Sequence, residues 1–220
     1  MKPELAFDPP DLTPTLSLLE AHFASARGRA PAPIRNYHRE TPVTAAVRAE
    51  AKASAVLVPI VIRDGALCVL LTRRHHDISY PGQLCFPGGR TDPEDADATA
   101  TALRESREEI NLTADRVRVL GGLGDYFTQS GYRIKPIVGI VTPPLDLKLS
   151  PREVVEVLEV PLAALTSAAS YRIWRSVPEK DQAYYAFQHG QARLTGPTVC
   201  LAMGFYEALV ETFRSGAGAR

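Results

Sequence analysis

Glu105, Glu108 and Glu109 stand at i, i+3 and i+4, a spacing that brings three carboxylates to one face of a helix. Like charges so placed repel by about 0.2–0.5 kcal/mol per pair, and Arg104 relieves only part of that. A bound cation would relieve the rest. Carboxylate oxygens suit Mg2+ or Mn2+, hard ions that keep several waters and bridge to phosphate oxygens. Such a face is built to hold a divalent metal. An isolated Glu-rich turn is more often a plain solvated helix face. Here it follows, in order, the pair Gly88-Gly89 and the acidic run Asp92-Pro93-Glu94-Asp95, and it ends Arg104-Glu105-Ser106-Arg107-Glu108-Glu109.

A helix must carry these groups. Asp92 is a good N-cap, Pro93 suits the first helical position, and Asp95 faces the positive helix end, so the pattern predicts a start at Pro93. Asn111 tolerates a left-handed backbone and marks the end, about 18 residues later. Leu103, Ser106 and Ile110 fall on another side and can pack on a core.

The core comes from the flanking segments. Ser54 to Ile62 and Ala66 to Thr72 are apolar and β-branched, joined by the turn Arg63-Asp64-Gly65. Arg116 to Leu120, Ile134 to Val141 and Val154 to Val160 read as further strands, with a Gly-rich loop from Gly121 to Gly131 that could reach the site. Pro161 to Ala169 suggests a short helix, and Tyr184–Phe187 with Ala192–Leu194 a hairpin around His189-Gly190. A last helix, Thr198 to Phe213, carries Leu201, Phe205, Leu209 and Phe213 at core-packing spacing.

Upstream, Leu16, Leu19 and Phe23 predict an amphipathic helix within Leu12 to Ala26. Ala30 to Glu50, with Pro31, Pro33 and Pro42, reads as an extended arm laid across the domain or used in dimer contacts. His22 and His38 are assigned to surface or packing. The expected organisation is a helix and arm over 1–50, a catalytic domain over 51–214 and a mobile tail over 215–220. Strands alternating with one internal and one terminal helix imply an α+β fold with a mixed sheet covered on both faces.

Composition is that of a globular protein: 220 residues, 45% hydrophobic, 23% charged, with 25 basic against 25 acidic residues. That balance gives no global pull toward nucleic acid, so a polyanionic small molecule must be met by local arginines and a metal. Cys68, Cys85 and Cys200 are scattered and odd in number, which fits a reduced compartment. No run approaches the ~18 apolar residues of a membrane span, and the start is too acidic and proline-rich for a secretory signal. Cytoplasmic location is the expectation.

The stretch from Gly89 through Arg104, Glu105, Glu108 and Glu109 to Leu112 resembles the box of the Nudix hydrolases. Asp95 stands for the usual glutamate, Ser106 for an apolar residue and Asn111 for glycine, and the gap from Gly89 to Arg104 is one residue longer than the common form. Further segments look like the coenzyme A pyrophosphatase branch: Leu70-Leu71-Thr72-Arg73-Arg74, Gly82-Gln83-Leu84-Cys85-Phe86-Pro87-Gly88-Gly89, Ser130 to Gly139, Glu153 to Val157, and Pro161-Leu162. The similarity runs from about Ser54 to about Phe213. It departs at Ile78, where that branch has an arginine, in a loop before Gly82 one residue shorter than usual, and at Leu194 to Thr198, where a tryptophan is replaced.

The resemblance implies an α/β/α sandwich with a mixed β-sheet and a Mg2+- or Mn2+-dependent pyrophosphatase. Glu105, Glu108, Glu109 and the backbone of Gly89 would hold metal, Arg104 would orient a glutamate, and Arg73, Arg74, Gly82 and Gly88 would meet substrate, with His75 and His76 as further positive charge. The base would be a box glutamate or one of Glu153 and Glu156. Many members of that branch are dimers, which points to a homodimer. The expected reaction is cleavage of coenzyme A or its thioesters to phosphopantetheine and adenosine 3′,5′-bisphosphate. Another nucleoside diphosphate derivative, such as ADP-ribose, is the alternative substrate, and a binding module without turnover is a third course that three retained carboxylates argue against.

Overall fold

The computed structural model of the chain describes residues 7, 9–38, 43–177 and 182–216. Its centre is a mixed sheet built on β1 (Lys52–Arg63), β2 (Ala66–Arg74), β3 (Leu84–Cys85), β4 (Gly88–Arg90), β5 (Val117–Gly122), β6 (Tyr126–Phe127), β7 (Tyr132–Val141) and β8 (Val154–Pro161). The main path runs β3-β2-β1-β7-β5, with β4 on β1, β6 on β7 and β8 on β2. β1 and β7 pair in parallel over their whole shared length, and the other pairings are antiparallel.

The near-continuous apolar run of β1 follows from burial on both faces. Ala55, Leu57 and Val61 face one layer with Leu70, Ile137 and Val141; Val58 and Ile60 face the other with Val69, Leu71, Val138 and Ile140. The first layer is α3 (Ala98–Ile110), which contributes Ala102 and Ile110. The opposite layer holds α1 (Leu16–Ser25), α5 (Gly196–Arg214) and a small sheet of β9 (Tyr171–Val177), β10 (Gln182–His189) and β11 (Ala192–Leu194). This is the expected α+β architecture, an α/β/α sandwich. The short helices α2 (Ala45–Ala49) and α4 (Leu162–Leu165) complete it.

The hairpin β1–β2 turns through Asp64 and Gly65, both at positive φ, 49° and 81°, which matches the right-handed twist of the strands. α1 starts at Leu16, later than Leu12, because the Thr15 hydroxyl caps the Leu18 amide. Leu12 instead donates its amide to the Thr166 carbonyl. Several elements had no clear sequence signal: α2 and the short strands β3, β4 and β6, with only a few residues each, and β9, which needs β10 as its partner. Along α5, Leu201, Phe205 and Leu209 are buried as expected, but Phe213 is 55% exposed, since successive i+4 steps rotate around the helix and Thr212 holds the buried face at that level. Pro42 and residues 217–220 of the expected tail lie outside the described residues.

The arm lies across the domain and is held by close glycine contacts on two sides. A Cβ at Gly124 would sit 1.7 Å from the Ala32 carbonyl oxygen, and one at Gly204 of α5 would sit 2.8 Å from Ile34. The Ile34 amide donates to the Asp125 carbonyl at 2.9 Å between these points. The Gly121–Gly131 interval, expected as a loop that could reach the site, thus carries β6 and meets the arm. Gly124→Ala is expected to lift the arm, because backbone cannot yield as a flexible side chain can. Overpacking of this kind costs about 1–3 kcal/mol, seen as a lower melting temperature together with faster proteolytic cleavage between Arg27 and Arg35. Unchanged cleavage would show that the arm is not fixed there.

Candidate active site

The acidic cluster forms where β4 meets α3. β4 is pinned to β1 by the pairings Ala55↔Gly89 and Val56↔Gly88, and the Leu57 amide donates to the Pro87 carbonyl at 2.8 Å. Gly88 has φ 153°, and a Cβ there would lie 2.4 Å from the Ala55 carbonyl oxygen, so glycine is required on both counts. Its amide donates to Glu109 Oε2 at 3.3 Å. At Gly89 a Cβ would lie 2.5 Å from both carboxylate oxygens of Glu105. The glycine pair thus leaves room for two glutamate heads directly against the strand.

α3 begins at Ala98, not at Pro93, with Asp97 as N-cap accepting from the Ala100 amide at 2.8 Å. Asp95 is otherwise engaged. Its Oδ1 and Oδ2 accept from Arg104 Nε and an Arg104 terminal nitrogen at 3.0 and 2.9 Å, and Oδ2 also accepts from the Thr101 hydroxyl and the Asp92 amide, each at 2.9 Å. Residues 92–95 therefore fold into a turn, closed by the Asp95 amide on the Asp92 carbonyl at 3.0 Å, that brings Asp95 back onto the helix. Arg104 holds the Asp95 carboxyl well below the usual carboxylate range.

The other end of α3 stops where expected. Asn111 is left-handed at φ 59°, and its side chain donates to the Asp146 carbonyl at 2.8 Å. The amides of Lys148 and Ser150 donate to the Ile110 and Glu109 carbonyls at 3.1 and 2.8 Å, so the loop before β8 caps the helix. Ser106, in an apolar position of the pattern, is fully buried and returns its hydroxyl to the Ala102 carbonyl at 2.7 Å. Leu103 packs at the margin of the same core.

The three glutamates occupy different environments. Glu109 is 5% exposed, the Glu105 side chain 15% and that of Glu108 54%. Burial, then the charge of Glu105, raises Glu109 to about 8; the Gly88 amide and Arg74 oppose this only in part. Burial also raises Glu105, against the pull of Arg104. Glu108 points outward and accepts from Arg104 at 3.1 Å, while the same guanidinium nitrogen reaches Glu105 at 3.0 Å. Glu153, just before β8, stands near enough that its charge raises both Glu105 and Glu109. Glu156 is engaged by Arg73.

Among the described residues no three His, Cys, Asp or Glu side chains close into a preformed metal cage. The donor set still fits a hard divalent ion. Two carboxylates, Glu109 raised by burial and by the charge of Glu105, and Glu105 raised by burial, lie against a glycine backbone, and Mg2+ needs only one or two carboxylates because it keeps its waters.

The arginines expected at the substrate have separate surroundings. Arg73 donates to Glu156 and, at 3.1 Å, to the Gly82 carbonyl, so it ties the loop to β8. Arg74 donates from Nε to the Ser79 carbonyl at 2.8 Å and lies close enough to lower Glu109. His75 and His76 lie with ring centroids 5.1 Å apart at the head of that loop. The Cys85 thiol meets the Thr72 hydroxyl at 3.3 Å, and burial pushes its pKa up. Cys68, Cys85 and Cys200 are all free thiols. Cavities of about 370 and 450 Å3 lie along the arm and α5, and none of the site glutamates lines either. No described helix is long and apolar enough to cross a membrane.

Sequence reasoning placed Asp95 at the positive helix end and as a stand-in within the pattern, did not pair it with Arg104, and gave Thr101 no part; the signal was an acid nine residues before an arginine, too distant for helix geometry to link them.

A sandwich whose internal helix sets clustered glutamates against a glycine-rich strand defines a class, and the NUDIX domain family model matches residues 51–182, so the chain belongs to the Nudix family. It is a Nudix hydrolase, of a kind that works with divalent metal. It is 39% identical over 151 residues to the uncharacterized Nudix hydrolase NudL of Photorhabdus laumondii, covering 67% of this chain and 80% of that one. Identity to the protein of the same name from Yersinia enterocolitica is 36% over 141 residues, covering 64% and 72%. Among solved structures, a C. elegans Ap4A hydrolase binary complex matches at 26% identity and TM-score 0.44, covering 50% of this chain and 80% of that one. The NUDIX domain of Shewanella oneidensis NrtR complexed with ADP ribose matches at 20% and 0.41, covering 57% and 80%.

Proposed function

We propose that this hydrolase cleaves the diphosphate of coenzyme A or its thioesters, releasing phosphopantetheine and adenosine 3′,5′-bisphosphate. The observation that carries this is the junction of two segments resembling the coenzyme A pyrophosphatase branch. Pairing of Thr72 with Cys85 sets Leu70–Arg74 beside Gly82–Gly89, and both adjoin Glu109.

Glu105 and Glu109, with the backbone carbonyl of Gly89, are the residues that would hold Mg2+ or Mn2+, and Glu108 would join from the rim. When bound, the ion neutralises non-bridging phosphate oxygens and favours a nucleophilic water. Arg104, fixed by Asp95, keeps the Glu105 head against Gly89. Glu153 accepts the proton of the attacking water at its carboxylate, Glu156 being committed to Arg73. The water oxygen bonds to one phosphorus, and the bridging P–O bond breaks toward the other. Arg74 offers positive charge to the phosphate on the β2–β3 side.

Ile78, in place of the branch's arginine, favours a second course in which the substrate is another nucleoside diphosphate derivative such as ADP-ribose. Purified protein with Mg2+ or Mn2+ should consume coenzyme A in preference to ADP-ribose, NADH and dinucleoside polyphosphates, as read by product chromatography. Cleavage of ADP-ribose with coenzyme A left whole decides for the second course.

A further inference from the structure

Arg74 and Gly82 frame a loop that has one unusual member. The Gly82 amide donates to the Arg74 carbonyl at 3.1 Å and the Arg74 amide to the Gln83 carbonyl at 3.0 Å, closing the loop at its neck. Inside it, Arg74 Nε holds the Ser79 carbonyl, and Arg73 holds the Gly82 carbonyl from the other side. Within this hydrogen-bonded frame Tyr80 adopts the left-handed region at φ 61°. A bulky residue rarely stays there unless its surroundings impose it, and such strain gathers at functional sites. Glycine or asparagine would fit the turn without strain, so the side chain itself calls for an explanation.

That side chain is 62% exposed, the most exposed large apolar group among the described residues. Its ring has no aromatic partner there. Tyr132, by contrast, has its ring under the Arg90 guanidinium and its hydroxyl bonded to it. The same Arg74 that grips the residue before Tyr80 lies within electrostatic reach of Glu109. An exposed aromatic face is thus presented on a hydrogen-bonded loop held by Arg74, whose strand β2 pairs with β3 beside the glycine pair. The substrates weighed above join a diphosphate to a flat nucleobase, and aromatic faces bind such rings by stacking.

We propose that Tyr80 is a specificity-determining residue whose ring stacks on the nucleobase of the substrate. This rests on the substrate being a nucleoside diphosphate derivative, coenzyme A first among them. The test uses the full chain with Tyr80→Phe, which keeps the ring, and Tyr80→Asn, which keeps the left-handed turn and removes it. Binding of AMP and of base-free ribose 5-phosphate is measured by calorimetry in Mg2+, beside kcat and KM for coenzyme A.

Tyr80→Phe should leave all values within about twofold. Tyr80→Asn should weaken AMP and raise KM by about five- to hundredfold, while kcat and ribose 5-phosphate binding stay as they were. Equal weakening of AMP and ribose 5-phosphate overturns the stacking role, as do unchanged AMP binding and a wild-type protein that does not bind AMP. AMP binding that depends on Tyr80 in a protein inert toward coenzyme A keeps the stacking role and rejects the coenzyme A assignment. Coenzyme A cleavage indifferent to Tyr80→Asn does the reverse.

Discussion

Glu109→Gln should lower turnover by about 10²- to 10⁴-fold, the range that several kcal/mol of lost charge stabilisation represents, without unfolding the protein. The substitution keeps volume and the acceptor for the Gly88 amide, and it removes a charge that the metal-free fold tolerates poorly. The sign of the stability effect follows. Glu109 rises from an ordinary 4.5 to about 8 on folding, so below 4.5 it is neutral in both states and costs nothing. Between those values the unfolded chain loses the proton while the folded one keeps it, and stability falls as pH rises. Above about 8 the loss is complete. Metal-free wild type should therefore melt at progressively lower temperature across that window, Glu109→Gln should show a flatter profile, and Mg2+ should stabilise the wild type most at its alkaline end. Near wild-type turnover in the variant would remove Glu109 from the metal-holding set, and a parallel pH profile would remove it from the stability account.

The second large effect is expected at Arg104. One guanidinium holds Asp95 through two nitrogens, bonds the Arg90 carbonyl at 2.9 Å and reaches Glu105 and Glu108. Arg104→Ala frees all of these at once, and loss of a group that orients metal-holding residues costs about 10- to 100-fold in activity or metal affinity. Arg104→Lys should recover little, since a point charge cannot replace a planar fork. Asp95→Ala should reproduce most of the loss, and the double variant should be hardly worse than either single one. Additive losses, each multiplying the other, would show that Arg104 and Asp95 act separately.

The glutamates, the glycine pair and Asn111 were legible because each follows from local rules: helix periodicity, close backbone approach and the left-handed cap. The strands of the central sheet were legible because β1, β2 and β7 are apolar for most of their length. The start of α3 was not. Asp92-Pro93 is a sound local start signal, and it lost to a tertiary bond between Asp95 and Arg104 that no period encodes. Phe213 misled for a different reason: a run of i+4 steps drifts around the helix, and by the last turn the buried face belongs to Thr212. Arg73 illustrates the limit for function: a basic residue beside a phosphate-binding pattern looks available, and only the fold places Glu156 across from it.

The cap on the C-terminal end of α3 bears on how this protein can vary in length. A surface connection such as the one from Thr142 to Glu153 would ordinarily accept insertions. Here Asp146, Lys148 and Ser150 are each bonded to the last turn of the helix or to Asn111, and Ser150 in turn receives the amides of Glu153 and Val154. The connection is therefore two stretches with opposite permissions. Between Thr142, whose amide is held by the Arg116 carbonyl, and Leu145, which packs on the α3 side of the core, added residues would disturb least, whereas a single residue added after Ser150 would shift Glu153 relative to Glu109. The loop serves as a fixed spacer between the two acids, and natural drift in its length should stop at Asp146.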